Sequence, residues 1–83
     1  MSEREDVLAL VQRSVNEVLG DEAPTLTEDL VLADAEIHSL DLVEMIMVIE
    51  EAEGYTIDAA DVEGAESVSD LIETILSKRS ARA

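Results

Sequence analysis

The residues best placed to do chemistry stand together at His38-Ser39-Leu40-Asp41, where a hydroxyl lies beside an imidazole and two positions before a carboxylate. A serine hydroxyl at the start of a helix is ordinarily an N-cap that accepts a backbone N–H. The same hydroxyl becomes a nucleophile only when a base or a partner activates it. The surrounding inventory is sparse. The chain has no cysteine, so it forms no disulfide and offers no reactive thiol of its own. His38 is its single histidine, which leaves no zinc site of the usual Cys and His type. At 83 residues the chain holds one small domain and has no room for a large catalytic cleft.

The elements that must position Ser39 follow from spacing. Ser2 and Glu5 form a capping box, and Val7, Leu10, Val11 and Val18 recur at helical intervals until Gly20, predicting a first helix over about 3–19. Residues 20–38 have no clean period and contain Pro24; Leu26, Leu30, Val31 and Leu32 are placed to pin this long loop to a core. The stretch HSLDLVEMIMVIEEAE, 38–53, predicts a second helix of about four turns ending before Gly54. Between Gly54 and Gly64 there is room for an extended entry and one short helical turn. Ser67 and Asp70 make another capping box, and Val68, Leu71, Ile72 and Ile75 form one stripe of a last helix running to about Ser77. Lys78 and Arg79 suit the negative C-terminal end of that helix, and 78–83 is expected to be a frayed basic tail. No alternating strands and no internal repeat are present.

The second helix is apolar on two sides. At about 100° per residue, Leu42, Met45, Ile46 and Ile49 share one stripe, the expected core face. Leu40, Val43 and Met47 form a second stripe roughly opposite, bordered by Glu44, Glu50 and Glu51. In so small a protein the second stripe is hard to bury. Either the 20–38 loop folds over it, or it is an exposed apolar strip rimmed by acids, suited to basic partners. Met47 fits a surface that meets several partners, because an unbranched thioether repacks against different shapes.

Charge narrows the function classes. The chain carries 21 Asp and Glu against 5 Lys and Arg, a net charge of −16, and residues 14–77 contain 18 acids with no Lys or Arg. Nucleic-acid binding needs a basic footprint and is excluded. With 47% hydrophobic residues the chain is expected to fold, but around an aliphatic core, since it has no Phe, no Trp and only Tyr55. The first residues are acidic and no long apolar run occurs, so neither a secretory signal nor a membrane span is expected, and a cytoplasmic setting is.

An acidic chain of about this length, with a long first loop and a Ser39-Leu40-Asp41 entry into an acid-and-aliphatic helix ending Glu50-Glu51, resembles acyl carrier proteins over essentially its whole length. The resemblance implies an all-α fold, a four-helix bundle of three longer helices and one short one with a long loop between helices 1 and 2. It implies a single carrier domain over 1–83, monomeric and without catalytic activity of its own. It also implies a 4′-phosphopantetheine arm, derived from coenzyme A, on Ser39, with cargo held as a thioester on the arm's thiol. The expected partners are a phosphopantetheinyl transferase, a ligase that loads acyl or aminoacyl groups, a ketosynthase or acyltransferase, and a thioesterase or other tailoring enzyme. They would be met by His38, Leu40, Asp41, Val43, Glu44, Met47, Glu50 and Glu51, and neither a metal nor a membrane is implied.

Departures from the family pattern are informative. Most relatives in fatty-acid synthesis read Asp-Ser-Leu here, after a Gly two residues before that Asp, whereas this chain reads Glu36-Ile37-His38-Ser39-Leu40. His-Ser-Leu is similar instead to carrier domains of non-ribosomal peptide synthesis, which implies a free-standing aminoacyl or peptidyl carrier as an alternative. His38 then reads either as a neighbour of the helix cap or as a pH-sensitive group beside the phosphate, its unperturbed pKa being about 6.5. Glu53 stands where many relatives have Phe and Asp58 where many have Pro; Tyr55 is the candidate replacement for the lost aromatic packing. A third reading, from another class, is an acidic interaction module in which Ser39 is only a cap.

Overall fold

The computed structural model describes residues 2–82 of the chain. Four α-helices follow in order: α1 (Glu3–Leu19), α2 (Ser39–Glu53), the short α3 (Ala59–Val62) and α4 (Val68–Arg82). No helix among the described residues is long and apolar enough to cross a membrane. The all-α bundle of three longer helices and one short one is as the sequence predicts.

Local signals set the helix boundaries. Ser2 Oγ accepts the Glu5 N–H at 3.1 Å and Glu5 Oε1 accepts the Ser2 N–H at 3.1 Å, closing the capping box of α1. Ser67 and Asp70 do the same for α4, at 3.1 and 3.2 Å. Gly20 ends α1 at φ 61° and Gly54 ends α2 at φ 80°, conformations that exclude most side chains. Two details differ from the periodicity. The inward face of α1 is Val7, Val11 and Val15 with Ser14, while Leu10 and Val18 are only half-buried. Ser14 is tolerated inside because its hydroxyl donates to the Val11 carbonyl at 2.7 Å.

α4 also continues beyond Ser77, so most of the expected frayed tail is helical. The reason is electrostatic anchoring. Lys78 Nζ lies 2.8 Å from Asp61 of α3, and Arg79 lies 2.7 Å from Glu53 at the end of α2 and 3.6 Å from Glu3. Residue 83, and the side chain of Arg82, fall outside what the structure describes.

The helices enclose one aliphatic core. Val7, Val11 and Val15 of α1 meet Met45, Ile46 and Ile49 of α2 and Val68, Leu71, Ile72 and Ile75 of α4, and Val62 of α3 joins them. α1 packs against both α2 and α4, and α3 leans on α4.

The 20–38 connection is ordered by specific bonds. A 3₁₀ turn at Gly20–Glu22 leads to a segment held by Gln12, whose side chain donates to the Pro24 carbonyl and accepts the Leu26 N–H. Further on, Leu32 N–H donates to Glu66 O at 2.9 Å and Val68 N–H to Leu30 O at 3.0 Å, tying the loop to the entry of α4. Leu26, Leu32 and Ile37 are buried, whereas Leu30 is half-buried and Val31 is exposed. Arg4 adds a second tie, bonding Glu28 of the loop together with Ser69 and Glu73 of α4.

The last turn of this loop carries strain. Ile37 N–H donates to Leu32 O at 3.0 Å and Glu36 N–H to Ala33 O at 3.1 Å, the paired bonds of a Schellman motif, with Leu32 and Ile37 buried at its two ends. The motif needs a left-handed residue, and that residue is Glu36 at φ 59°. A non-glycine there costs about 1–2 kcal/mol, and glycine returns about 0.5–1 of this through unfolded-chain freedom. Glu36→Gly is therefore expected to stabilise the protein by about 0.5–1 kcal/mol, seen as a higher urea midpoint at unchanged slope. A lower midpoint would mean that the turn is not strained.

Candidate functional site

The strained turn delivers the chain to α2 with His38, not Ser39, as the N-cap. Asp41 Oδ2 accepts the His38 N–H at 3.2 Å, so the N3 carboxylate closes the helix start. Ser39 is thereby the first helical residue, exposed, and its hydroxyl has no hydrogen-bond partner among the described residues. The ordinary capping role is taken by its neighbour. The hydroxyl is left facing solvent at the positive end of a 15-residue helix, where unpaired N–H groups favour a nearby phosphate.

Behind Ser39 the second stripe of α2 is open. Leu40 is 71% exposed, Val43 52% and Met47 61%, so the long loop does not fold over them. Met45 and Ile49, on the opposite side of the same helix, are fully buried. Among the acids that rim the strip, Glu44 and Glu51 are exposed and Asp41 is half-buried by its capping bond. Glu50 differs. Its Oε2 accepts the Ile57 N–H at 2.7 Å, so this carboxylate holds the segment that follows Gly54 and has only part of its capacity left for a partner.

A groove of about 320 Å³ runs between α2 and α3 with Ser39 at one end. Leu42, Val43, Ile46, Met47, Ile57 and Val62 make its walls mostly apolar, with Glu50 and Glu63 at their margin. Its α3 wall is not visible in the sequence pattern, because four residues are too few to show a period. That wall is held from outside. Thr74 Oγ donates to the Asp61 carbonyl at 3.3 Å, and Lys78 pairs with the Asp61 carboxylate. The hydrogen bond from Lys78 holds the Asp61 carboxyl below the usual carboxylate range.

The end of α2 is held by charge. Glu53 Oε1 and Oε2 accept Arg79 Nε at 2.7 Å and a terminal guanidinium N–H at 3.1 Å, a fork that joins α2 to α4. Tyr55 packs on the core and its hydroxyl donates to Glu53 Oε1 at 3.1 Å. Burial, then this bond to a carboxylate, pushes the Tyr55 phenol up. Tyr55 and the Glu53–Arg79 pair together close the end of α2.

Residues 9–75 match the family described as the phosphopantetheine attachment site. The chain is 34% identical over 79 residues to the acyl carrier protein of Thermotoga maritima, covering 94% of this chain and 98% of that protein. It is 34% identical over 80 residues to that of Rubrobacter xylanophilus, covering 95% and 99% of the two chains. The chain belongs to the acyl carrier protein family. The acyl carrier protein of Saccharopolyspora erythraea is 31% identical over 75 residues, covering 89% of this chain and 79% of that protein. No solved structure matches.

Acyl carrier proteins are carriers and not enzymes, and they work through phosphopantetheinyl transferases and biosynthetic enzymes. The cofactor is a covalently attached 4′-phosphopantetheine, which supplies the thiol that the chain itself lacks. The residues present fit such a group. Ser39 offers an exposed, unpartnered hydroxyl, the first turn of α2 offers N–H groups for a phosphate, and an apolar groove opens beside both.

Proposed function

We propose that this acyl carrier protein bears its arm on Ser39 and presents acyl intermediates, held as thioesters, to the enzymes of a dedicated biosynthetic pathway of the polyketide or fatty-acid-like kind. The observation that carries the attachment is the unpartnered Ser39 hydroxyl at the first turn of α2, left free because His38 and Asp41 close the helix start. The mostly apolar walls of the α2–α3 groove favour an aliphatic acyl cargo. The chain's residues do no covalent chemistry in delivery. They orient the arm, shelter the cargo from water and steer the partner.

Steering falls to Asp41, Glu44 and Glu51, with Glu50 in part, facing Lys and Arg of the transferase, loading ligase, ketosynthase or acyltransferase, and thioesterase. Contact area comes from Leu40, Val43 and Met47, and His38 stands at the rim beside Ser39. A cytoplasmic, monomeric carrier is part of this reading.

The test is intact mass after incubation with coenzyme A and a broad-range transferase, followed by peptide mapping. One phosphopantetheinyl group on Ser39 is expected. An unmodified chain, beside a control carrier modified in the same tube, would overturn the attachment. The docking strip has its own test in Met47→Glu, which places a charge in the contact. This variant should lower kcat/KM for transfer by about 10–100-fold, the equivalent of about 1.4–2.8 kcal/mol of lost binding. Its melting temperature should stay within about 2 °C of the parent, because the side chain is mostly exposed. An unchanged kcat/KM would remove Met47 from the contact.

A further inference from the structure

Ser39 stands on a ridge between two clefts, and only the α2–α3 groove is accounted for by an aliphatic cargo. The second, of about 360 Å³, lies on the other side of Ser39 between the Schellman turn, the start of α2 and the segment joining α3 to α4. Its floor is apolar, with Leu32 and Ile37 buried and Leu42 and Ala65 half-buried. Its rim is polar, formed by His38, Glu63 and Glu66, all exposed. Neither the Glu63 nor the Glu66 carboxylate has a hydrogen-bond or ionic partner among the described residues. The floor is rigid, since Leu32 N–H is bonded to Glu66 O and Glu66 N–H to Asp70 Oδ2 at 2.8 Å.

We infer that this second cleft is the resting site of the pantetheine arm itself, distinct from the groove that takes the cargo. The inference rests on attachment at Ser39. The two clefts differ in the chemistry that they accept. A pantetheine carries a gem-dimethyl group, a hydroxyl and two amides, so it needs an apolar floor together with hydrogen-bond acceptors. Leu32, Ile37 and Ala65 supply the floor, and the Glu63 and Glu66 carboxylates supply acceptors for the amide N–H and hydroxyl donors. The same carboxylates repel the phosphodiester, which keeps it at the Ser39 end beside His38 and the N–H groups of α2. The α2–α3 groove shares Glu63 with the cleft but lacks Glu66 and His38, its lining is mostly aliphatic, and Glu50 is already bonded to Ile57 N–H.

Weak contacts suffice. An arm tethered at the rim has an effective concentration on the order of millimolar, so an intrinsic dissociation constant of about 1 mM already keeps the cleft half occupied. A partner enzyme withdraws the arm at little cost, and the thiol has a place out of bulk solvent between deliveries.

The experiment compares amide chemical shifts of the ¹⁵N-labelled apo and holo forms, with intact mass confirming a single modification. Shift changes are expected at Leu32, Ala33, Ile37, Ala65 and Glu66, beyond the immediate neighbours of Ser39. Glu66→Ala should reduce those at Leu32, Ala33 and Ala65 by at least twofold, and Glu66→Gln, which keeps an acceptor, should restore most of them. A modified protein whose changes are confined to 38–41, or fall instead on Ile46, Ile57 and Val62, would overturn the cleft while leaving attachment at Ser39 intact. Changes in the cleft that are equal in Glu66→Ala and the parent would also overturn it. A chain that takes no arm would remove both readings.

Discussion

Ser39→Ala is expected to abolish uptake of the phosphopantetheinyl group while leaving the melting temperature within about 2 °C of the parent. Both halves follow from where the helix begins. Were Ser39 the N-cap, alanine would remove the side-chain acceptor and cost about 1 kcal/mol. The cap is His38, closed by Asp41, and Ser39 is the exposed first helical residue with an unpartnered hydroxyl. Alanine is the best helix former and gives up no bond there, so stability should be unchanged or slightly higher. Thermal unfolding of both proteins, with intact mass after incubation with coenzyme A and transferase, checks the pair of outcomes. A loss of about 1 kcal/mol with modification retained elsewhere would return Ser39 to a purely structural role.

Ile49→Ala carries the largest expected effect on stability. Ile49 is fully buried on the inner face of α2, within a core whose buried apolar side chains are Val, Leu, Ile and Met. Truncating such a side chain costs about 2–5 kcal/mol, part from lost transfer energy and part from the cavity left behind. A domain of 83 residues is expected to have about 4–12 kcal/mol in total. The variant should therefore lose a large share of its stability and be partly unfolded at modest urea concentrations. Met47→Ala, two residues away on the same helix, should cost less than about 1 kcal/mol because Met47 is 61% exposed. Urea midpoints of the two variants give the comparison, and similar losses would mean that the two faces of α2 are not distinguished as described.

Much of this fold is written in short-range chemistry. Ser2 with Glu5 and Ser67 with Asp70 open α1 and α4 where their spacing says, and Gly20 and Gly54 close α1 and α2. Such signals are legible because each involves groups three or four residues apart on one helix. The two apolar stripes of α2 are legible for the same reason, and so is the acid rim of the second. Which stripe stays open is not, because that depends on whether the 20–38 loop crosses it. Gln12 of α1, with Glu66 and Val68 at the entry of α4, binds that loop instead.

The functional residues divide along the same line. From spacing and resemblance alone came a helix entered at Ser39 and an apolar strip at Leu40, Val43 and Met47, since both reside in one segment, and composition added an acidic stretch over 14–77 without Lys or Arg. Tertiary structure decided that His38 caps α2 and frees the Ser39 hydroxyl, and that Glu50 is bonded to Ile57. It also decided that Lys78 and Arg79 extend α4 by pairing with Asp61 and Glu53, and that Ser39 lies between two clefts of different polarity. Each of these, except the cap, joins groups well separated along the chain, and the cap itself depends on the Leu32–Ile37 turn packing into the core. A helix period records which side chains share a face; only the packed chain determines what that face meets.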